Sequence, residues 1–318
     1  MPPRVIMFVF AGRQGNLELQ VPMVRRILDE HPNVEYHVWN LTGNKTDDAY
    51  VRSISGDRIV VHENPWDQGG GPQAFKRVYR HYKDTEYQDC LFVKIDDDIV
   101  FLETARFGAF VAAIDKHRDY VVSANVVNNG ACAALEPALW EGFKVLGVPL
   151  LDIHKQNQYA QFAHTWFFEH YADRLGQPLE LIPTTDWLSI NCIGYDYRIA
   201  CEFAAKLGTV PHPQHIAGRN FPAPWGIMDE GLTNMFPRLL LRGFTACHLT
   251  FGPQSCTGEQ CEAWRKCYAE VVREYLWRVQ PDDCQLPDEL SPVQSTQGGL
   301  VAPEPREEND PRAGRFTA

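Results

Sequence analysis

The chain has 318 residues, 44% of them hydrophobic and 22% charged, enough apolar material for one large α/β domain or two closely packed halves. A formal net charge of −11 and a pI near 5.5 argue against non-specific binding to nucleic acid or an anionic membrane, which calls for a basic face. A polyanionic ligand such as a nucleoside diphosphate would need a cation or local arginines as company.

The opening residues, MPPRVIMFVFAG, hold one Arg and an apolar run too short for a secretory signal or a membrane span. Residues 5–10 read instead as a buried first strand, followed by a loop at Ala11-Gly12-Arg13. Leu19, Met23 and Ile27, with Val24 and Leu28, share a face at helical spacing over 17–30, and Pro22 places the true start later than Leu17. Residues 34–39 alternate as a second strand and 59–62 form a third. A Gly-rich loop (63–72) leads to a helix at 75–82, and the apolar run 90–95 is a buried strand. Beyond it a helix near 105–116, a strand at 120–124, a loop-rich stretch with Asn125, Asn128 and Asn129, and an aromatic helix at 159–174 are expected. A helix at 196–207, a helix end mixed with a strand at 239–249, and an amphipathic helix at 259–279 follow. From 285 to 318 the chain is rich in Pro, Gly, Ser and acid and reads as a disordered tail. The order of elements indicates an α/β fold with a mostly parallel sheet flanked by helices. The nine cysteines are scattered without a Cys-x-x-Cys pair and read as buried reduced thiols of a cytoplasmic protein.

The run Asp96-Asp97-Asp98 lies between two apolar segments. Three adjacent carboxylates at a buried strand end repel one another and lose hydration, a conflict that a divalent cation resolves. If the strand continues through the triplet, Asp96 and Asp98 share a face and Asp97 points to the other. Hard oxygen ligands suit Mg²⁺ or Mn²⁺, and open α/β sheets bind ligands at the carboxyl ends of their strands.

An apolar strand ending in Asp-x-Asp about a hundred residues into an α/β domain resembles the nucleotide-sugar glycosyltransferases of the GT-A fold. The resemblance covers roughly residues 4–280. It implies a GT-A-like, Rossmann-like mixed sheet with a donor-binding half (1–120) and an acceptor-binding half of the same domain (121–284). It further implies that Asp96 contacts the sugar nucleotide or the metal, that Asp98 binds the metal, and that Asp97 belongs to the same donor site. The loop after the first strand and the end of the second would hold base and ribose, here Ala11, Gly12, Arg13, Trp39 and Asn40. Arg13 is suited to a phosphate and Trp39 to stacking on a base, or else to the core. Lys76 and Arg77 would reach the diphosphate, or form a solvated helix face.

Residues 221–230 resemble the acceptor-side segment of inverting GT-A enzymes, with Asp229 four residues after Trp225. The resemblance implies a general base at Asp229 or Glu230; the plain alternative is an acidic helix start, favourable to the helix dipole. A late His as a further metal ligand points to His248, among eleven histidines. Asp186, Trp187 and Asn191, with Trp225, are acceptor-site candidates, and Asp186 and Asp196 are the next carboxylates in line as base. The expected function is metal-dependent transfer of a sugar from a nucleoside diphosphate sugar, UDP-linked by expectation, to a hydroxyl acceptor, and the acidic composition speaks against nucleic acid as that acceptor. A sugar-nucleotide nucleotidyltransferase, or a noncatalytic carbohydrate-binding protein of degenerate transferase fold, are the alternatives. Ala11-Gly12-Arg13-Gln14-Gly15 makes a poor version of the first one's signature loop.

Overall fold

Seven consecutive apolar residues form β1 (Val5–Ala11), and all but Phe10 are buried. A strand buried on both faces belongs inside a sheet covered by helices on both sides. The computed structural model, which describes residues 2–63, 72–208, 214–221 and 227–278, places β1 between two parallel neighbours, β2 (Val34–Asn40) and β4 (Leu91–Asp96). β3 (Ile59–His62) is parallel to β2 and forms the edge. The Gly-rich segment before Pro72, Trp225 and the tail 285–318 lie outside the described residues.

Past β4 the sheet becomes mixed. β8 (Cys192–Asp196) runs antiparallel to both β4 and β6 (Val121–Val127). β11 (Arg238–His248) is parallel to β6, and β5 (Ile99–Leu102) and β7 (Leu181–Thr184) pair with it antiparallel. The sheet order is β3-β2-β1-β4-β8-β6-β11-β5. β4 and β5 are thus consecutive in the chain yet lie four steps apart along this path. Only Asp97 and Asp98 separate them, and so short a linker spans roughly 10 Å. The sheet therefore curls, and its β11–β5 end returns to the carboxyl end of β4.

Helices cover the sheet. α1 (Gln14–Glu30) runs straight through Pro22, earlier and longer than the proline suggests. Pro22 and Glu18 are both exposed, so the carbonyl that lacks its amide partner can turn to water. α2 (Lys45–Ser53) was not anticipated; Asn44 caps it by accepting from the Asp47 N–H. α3 (Pro72–His81), α4 (Phe107–Lys116), α7 (Asn157–Arg174), α8 (Tyr197–Lys206) and α10 (Gly258–Arg278) fall close to expectation. α5 (Gly130–Ala133) and α6 (Pro137–Leu146) occupy a stretch given no elements from sequence. β9 (Gln214–Ile216) and β10 (Arg219–Phe221) pair as a small ribbon, and α9 (Asp229–Thr233) precedes β11.

Three expectations change. Residues 239–249 are strand almost throughout, with a register shift between Leu241 and Thr245 instead of a helix end. Asn125 belongs to β6, its side chain bonded to the Arg242 carbonyl at that irregularity. The acidic triplet is not a continuing strand: Asp96 ends β4 and Asp97-Asp98 turn the chain into β5. No helix among the described residues is long and apolar enough to cross a membrane, and the eight cysteines among them form no disulfide.

Candidate active site and metal centre

The turn after β4 sorts the three carboxylates. Asp97 Oδ2 accepts from the Gly12 N–H at 3.0 Å and from Arg13 Nε at 3.1 Å, and Arg13 Nη2 also bonds its Oδ1. The same Nη2 lies 3.0 Å from Asp98 Oδ2. Asp97 thus anchors the loop after β1, and one guanidinium partly neutralises two carboxylates. Gln20 fixes the turn from below, donating from Nε2 to the carbonyls of Asp96 (2.8 Å) and Ile99 (3.1 Å).

His248 reaches this turn through the curl of the sheet. β5 begins at Ile99, which is in register with His248 on β11, and the Leu249 N–H donates to the Asp98 carbonyl at 2.9 Å. His248 Nε2 then lies 3.1 Å from Asp98 Oδ1. Asp96 faces the same point, its Oδ2 accepting from Asn191 Nδ2 at 3.1 Å and its Oδ1 from Lys94 Nζ. One ligand atom each from Asp96, Asp98 and His248 falls within 4.8 Å of the others. Burial alone would raise the Asp98 pKa, but the His248 ring and the Arg13 guanidinium outweigh it and hold the carboxyl down to about 2. For Asp97 burial prevails over Arg13 and raises the pKa.

These residues fit a divalent cation. Two carboxylate oxygens and an imidazole nitrogen suit Mn²⁺ or Mg²⁺. Among the described residues His248 Nδ1 is buried with no hydrogen-bond partner, so no described contact on that side of the ring fixes its tautomer, and Nε2 can present a lone pair.

The triplet opens on a cleft of about 370 Å³ walled by Phe10, Phe75, Ile190, Thr250 and Phe251. Asp229 and Glu230, at the start of α9, also line it. Asp229 Oδ2 accepts from the Tyr79 hydroxyl at 2.9 Å, and its Oδ1 accepts from the Glu230 N–H at 3.0 Å. Glu230 Oε1 accepts from the Trp187 indole N–H and from Ser189 Oγ at 3.5 Å. The Arg219 guanidinium lies 4.3 Å from the centre of the Trp187 ring. Burial raises the Glu230 pKa above its ordinary 4.5, opposed by the Trp187 hydrogen bond and the Arg219 charge.

Of the residues expected from sequence, Arg13, Asp96, Asp97, Asp98, Asn191, Asp229, Glu230 and His248 meet in this one cleft, and Trp187 stands behind Glu230. Arg13 has its fork on Asp97 and Asp98, not on open space for a phosphate. Ala11 is buried at the end of β1, and Gly12 contributes its N–H to Asp97. Trp39 is 7% exposed, stacked on His62 at 4.1 Å and bonded to the Tyr82 hydroxyl, which is the core alternative. Asn40 organises the loop to α2, donating to Asp48 and accepting from Thr42. Lys76 and Arg77 are half-buried on α3 and do not line the cleft. Asp186 is exposed and outside it. Asp196 caps α8 by accepting from the Ile199 N–H. It pairs with Leu91, the far end of β4 from Asp96, so neither it nor Asp186 is placed to serve as base.

Lys94 was overlooked. It is 2% exposed, lines the cleft, and donates to Asp96 and to the Ile190 carbonyl at 3.0 Å. A lysine inside an apolar strand, two residues before a carboxylate and therefore on its face, was the available signal. Tyr79, which holds Asp229, carried none.

No family model and no curated protein matches the chain. Among solved structures it is similar to a mannosyltransferase from Pyrobaculum calidifontis in complex with GDP-Man and Mn²⁺, at 12% identity and a TM-score of 0.45, over 86% of this chain and 65% of that one. The chain thus spans slightly less than two thirds of that enzyme's length. It is also similar to the galactosyltransferase LgtC in complex with donor and acceptor sugar analogs, at 11% identity and a TM-score of 0.39, over 84% of this chain and 95% of that one.

Proposed function

We propose that the chain is a metal-dependent glycosyltransferase that moves a sugar from a nucleoside diphosphate sugar, uridine-linked by our reading, to a hydroxyl acceptor. The observation that carries this reading is the convergence of Asp96, Asp98 and His248 in the cleft that Asp229 and Glu230 also line. A Mn²⁺ or Mg²⁺ held by Asp96, Asp98 and His248 would supply Lewis-acid stabilisation of the leaving diphosphate.

The protein's own groups do the rest. The Asp97–Arg13–Gly12 contacts fix the loop over the turn, so the ligands are held in place before anything binds. Lys94 and Asn191 orient Asp96. Glu230 takes the proton of the acceptor hydroxyl as that oxygen attacks the anomeric carbon. Its burial makes it a stronger base than a solvated carboxylate, and the Trp187 N–H keeps its ionised form accessible. Asp229, already engaged by Tyr79, positions the start of α9. Residues 1–120 serve the donor and 121–284 the acceptor.

The test is a panel of nucleoside diphosphate sugars assayed for slow Mn²⁺-dependent hydrolysis without acceptor. Release of UDP from a UDP-sugar supports the proposal. No hydrolysis and no binding of any sugar nucleotide with metal present would overturn it.

A further inference from the structure

A second convergence of ligands lies away from the cleft. His37 on β2, His62 at the end of edge strand β3, and His81 at the end of α3 each bring one ring nitrogen within 4.8 Å of the others. His62 Nε2 is 3.1 Å from His37 Nδ1. Two nitrogens bound to one tetrahedral zinc at roughly 2.0–2.1 Å would lie about 3.3 Å apart, so these two rings are already near that spacing. The ring centroids of His62 and His81 are 5.1 Å apart.

The surroundings are those of an oriented ligand set. His37 Nε2, the nitrogen turned away from His62, faces Glu35 Oε2 at 3.5 Å. Glu35 is itself held by Arg4 through contacts of 2.6 and 2.9 Å. The Tyr87 hydroxyl is 2.8 Å from His81 Nε2, and Trp39 stacks on His62 with an interplanar angle of 10°. A carboxylate partner of this kind sets the tautomer and direction of a metal-binding imidazole. His37 Nδ1, the nitrogen turned to His62, also has the Tyr82 hydroxyl at 3.2 Å, a contact that a bound zinc would displace. Burial lowers the pKa of all three rings, to about 4 for His37 and about 3 for His62, which favours neutral rings with lone pairs. His37 is buried, while His62 and His81 are partly exposed, so an ion can enter from their side.

We propose that His37, His62 and His81 form a zinc site, with water in the fourth position, that ties edge strand β3 and helix α3 to β2. Its place gives the tie a purpose. Register aligns His62 with Trp39, Trp39 with Phe10, and Phe10 with Asp96. The site therefore sits on the row of the sheet that leads to the metal cleft, three strands from Asp96, or about 14 Å along the sheet. α3, which it clamps, carries Phe75 of the cleft wall and Tyr79 that holds Asp229. This proposal stands apart from the transferase reading and does not need it.

The probe is the metal alone. Chelator-treated full-length protein is titrated with Zn²⁺ against a chromophoric competitor, and with Co²⁺, whose visible absorption is intense in tetrahedral sites and weak in octahedral ones. The Asp98→Asn variant, included to disable the cleft ligands, should keep one zinc equivalent and the intense cobalt bands. His62→Gln and His81→Gln, at partly exposed positions and each made in the Asp98→Asn background so that the cleft ligands do not contribute, should lose both while retaining the wild-type circular dichroism spectrum. Glu35→Gln should weaken zinc by roughly 10–100-fold through loss of the outer partner of His37. Zinc should also raise the melting temperature of the wild type and of Asp98→Asn, but not of the His variants. The proposal is overturned if wild type binds no zinc at micromolar concentration, which would leave a hydrogen-bonded histidine cluster only. It is equally overturned if zinc binding survives both His substitutions, or vanishes in Asp98→Asn.

Discussion

His248 Nε2 stands 3.1 Å from Asp98 Oδ1, although 150 positions separate the two residues in the chain. The relationship follows from topology. β5 must leave β4 within two residues and pairs with the end of β11, so the last residue of β11 meets the turn. A carboxylate and an imidazole, both 3% exposed, are thereby placed against Asp96 without any local sequence motif linking them.

Glu230 and Asp229 separate by role. Glu230→Gln should lower turnover by on the order of 10²–10⁴-fold while leaving donor affinity nearly unchanged, because it removes a general base. Asp229→Asn should act mainly on stability, by about 1–3 kcal/mol, because it weakens a buried acceptor of the Tyr79 hydroxyl. Turnover, donor affinity and melting temperature measured on both variants decide the assignment. Equal rate losses in the two would contradict it.

The acid limb of the pH–rate profile should lie above pH 4.5, since burial raises the Glu230 pKa from that value. The base works only when ionised, so the rate rises with pH through the shifted value. Trp187→Phe removes a hydrogen bond that favours the ionised form, and the limb should move to still higher pH. The stability linkage has the opposite sense. With a folded pKa above the unfolded one, Glu230 contributes stability that is present below pH 4.5 and lost as the pH rises through the folded value. A limb that stays put or moves down in Trp187→Phe would contradict the role given to the indole.

Gly243 sits in the register shift of β11. A Cβ there would lie 2.7 Å from the Gln177 carbonyl and 2.8 Å from that of Pro178. Backbone atoms cannot yield as side-chain tips do, so Gly243→Ala should destabilise the fold by about 1–3 kcal/mol. Chemical denaturation measures it. Unchanged stability would show that the irregularity is not required.

What could be read from the sequence depended on how local its cause was. β1, β4 and the carboxylate cluster at the end of β4 were legible because apolar runs and clustered carboxylates speak through neighbouring residues. His248 was reachable through family resemblance alone, since its approach to Asp98 is a property of the whole sheet. The turn at Asp97-Asp98 was not legible, because strand alternation cannot reveal that β5 departs to another partner, yet Asp96 and Asp98 converge and Asp97 points elsewhere as alternation suggested. The contacts of Arg13 with Asp97 and Asp98 were not legible, because those residues are not among its sequence neighbours. The histidines at 37, 62 and 81 are too widely spaced to form a motif and meet only through β2–β3 pairing and the end of α3.

The most direct test of the central claim is calorimetric titration of UDP into wild type and Asp98→Asn, each with and without Mn²⁺. The account predicts that Mn²⁺ strengthens UDP binding to wild type and has no such effect on Asp98→Asn, while the variant keeps its fold by circular dichroism. Undiminished Mn²⁺-dependent affinity in Asp98→Asn, or wild-type UDP binding indifferent to Mn²⁺, would contradict it.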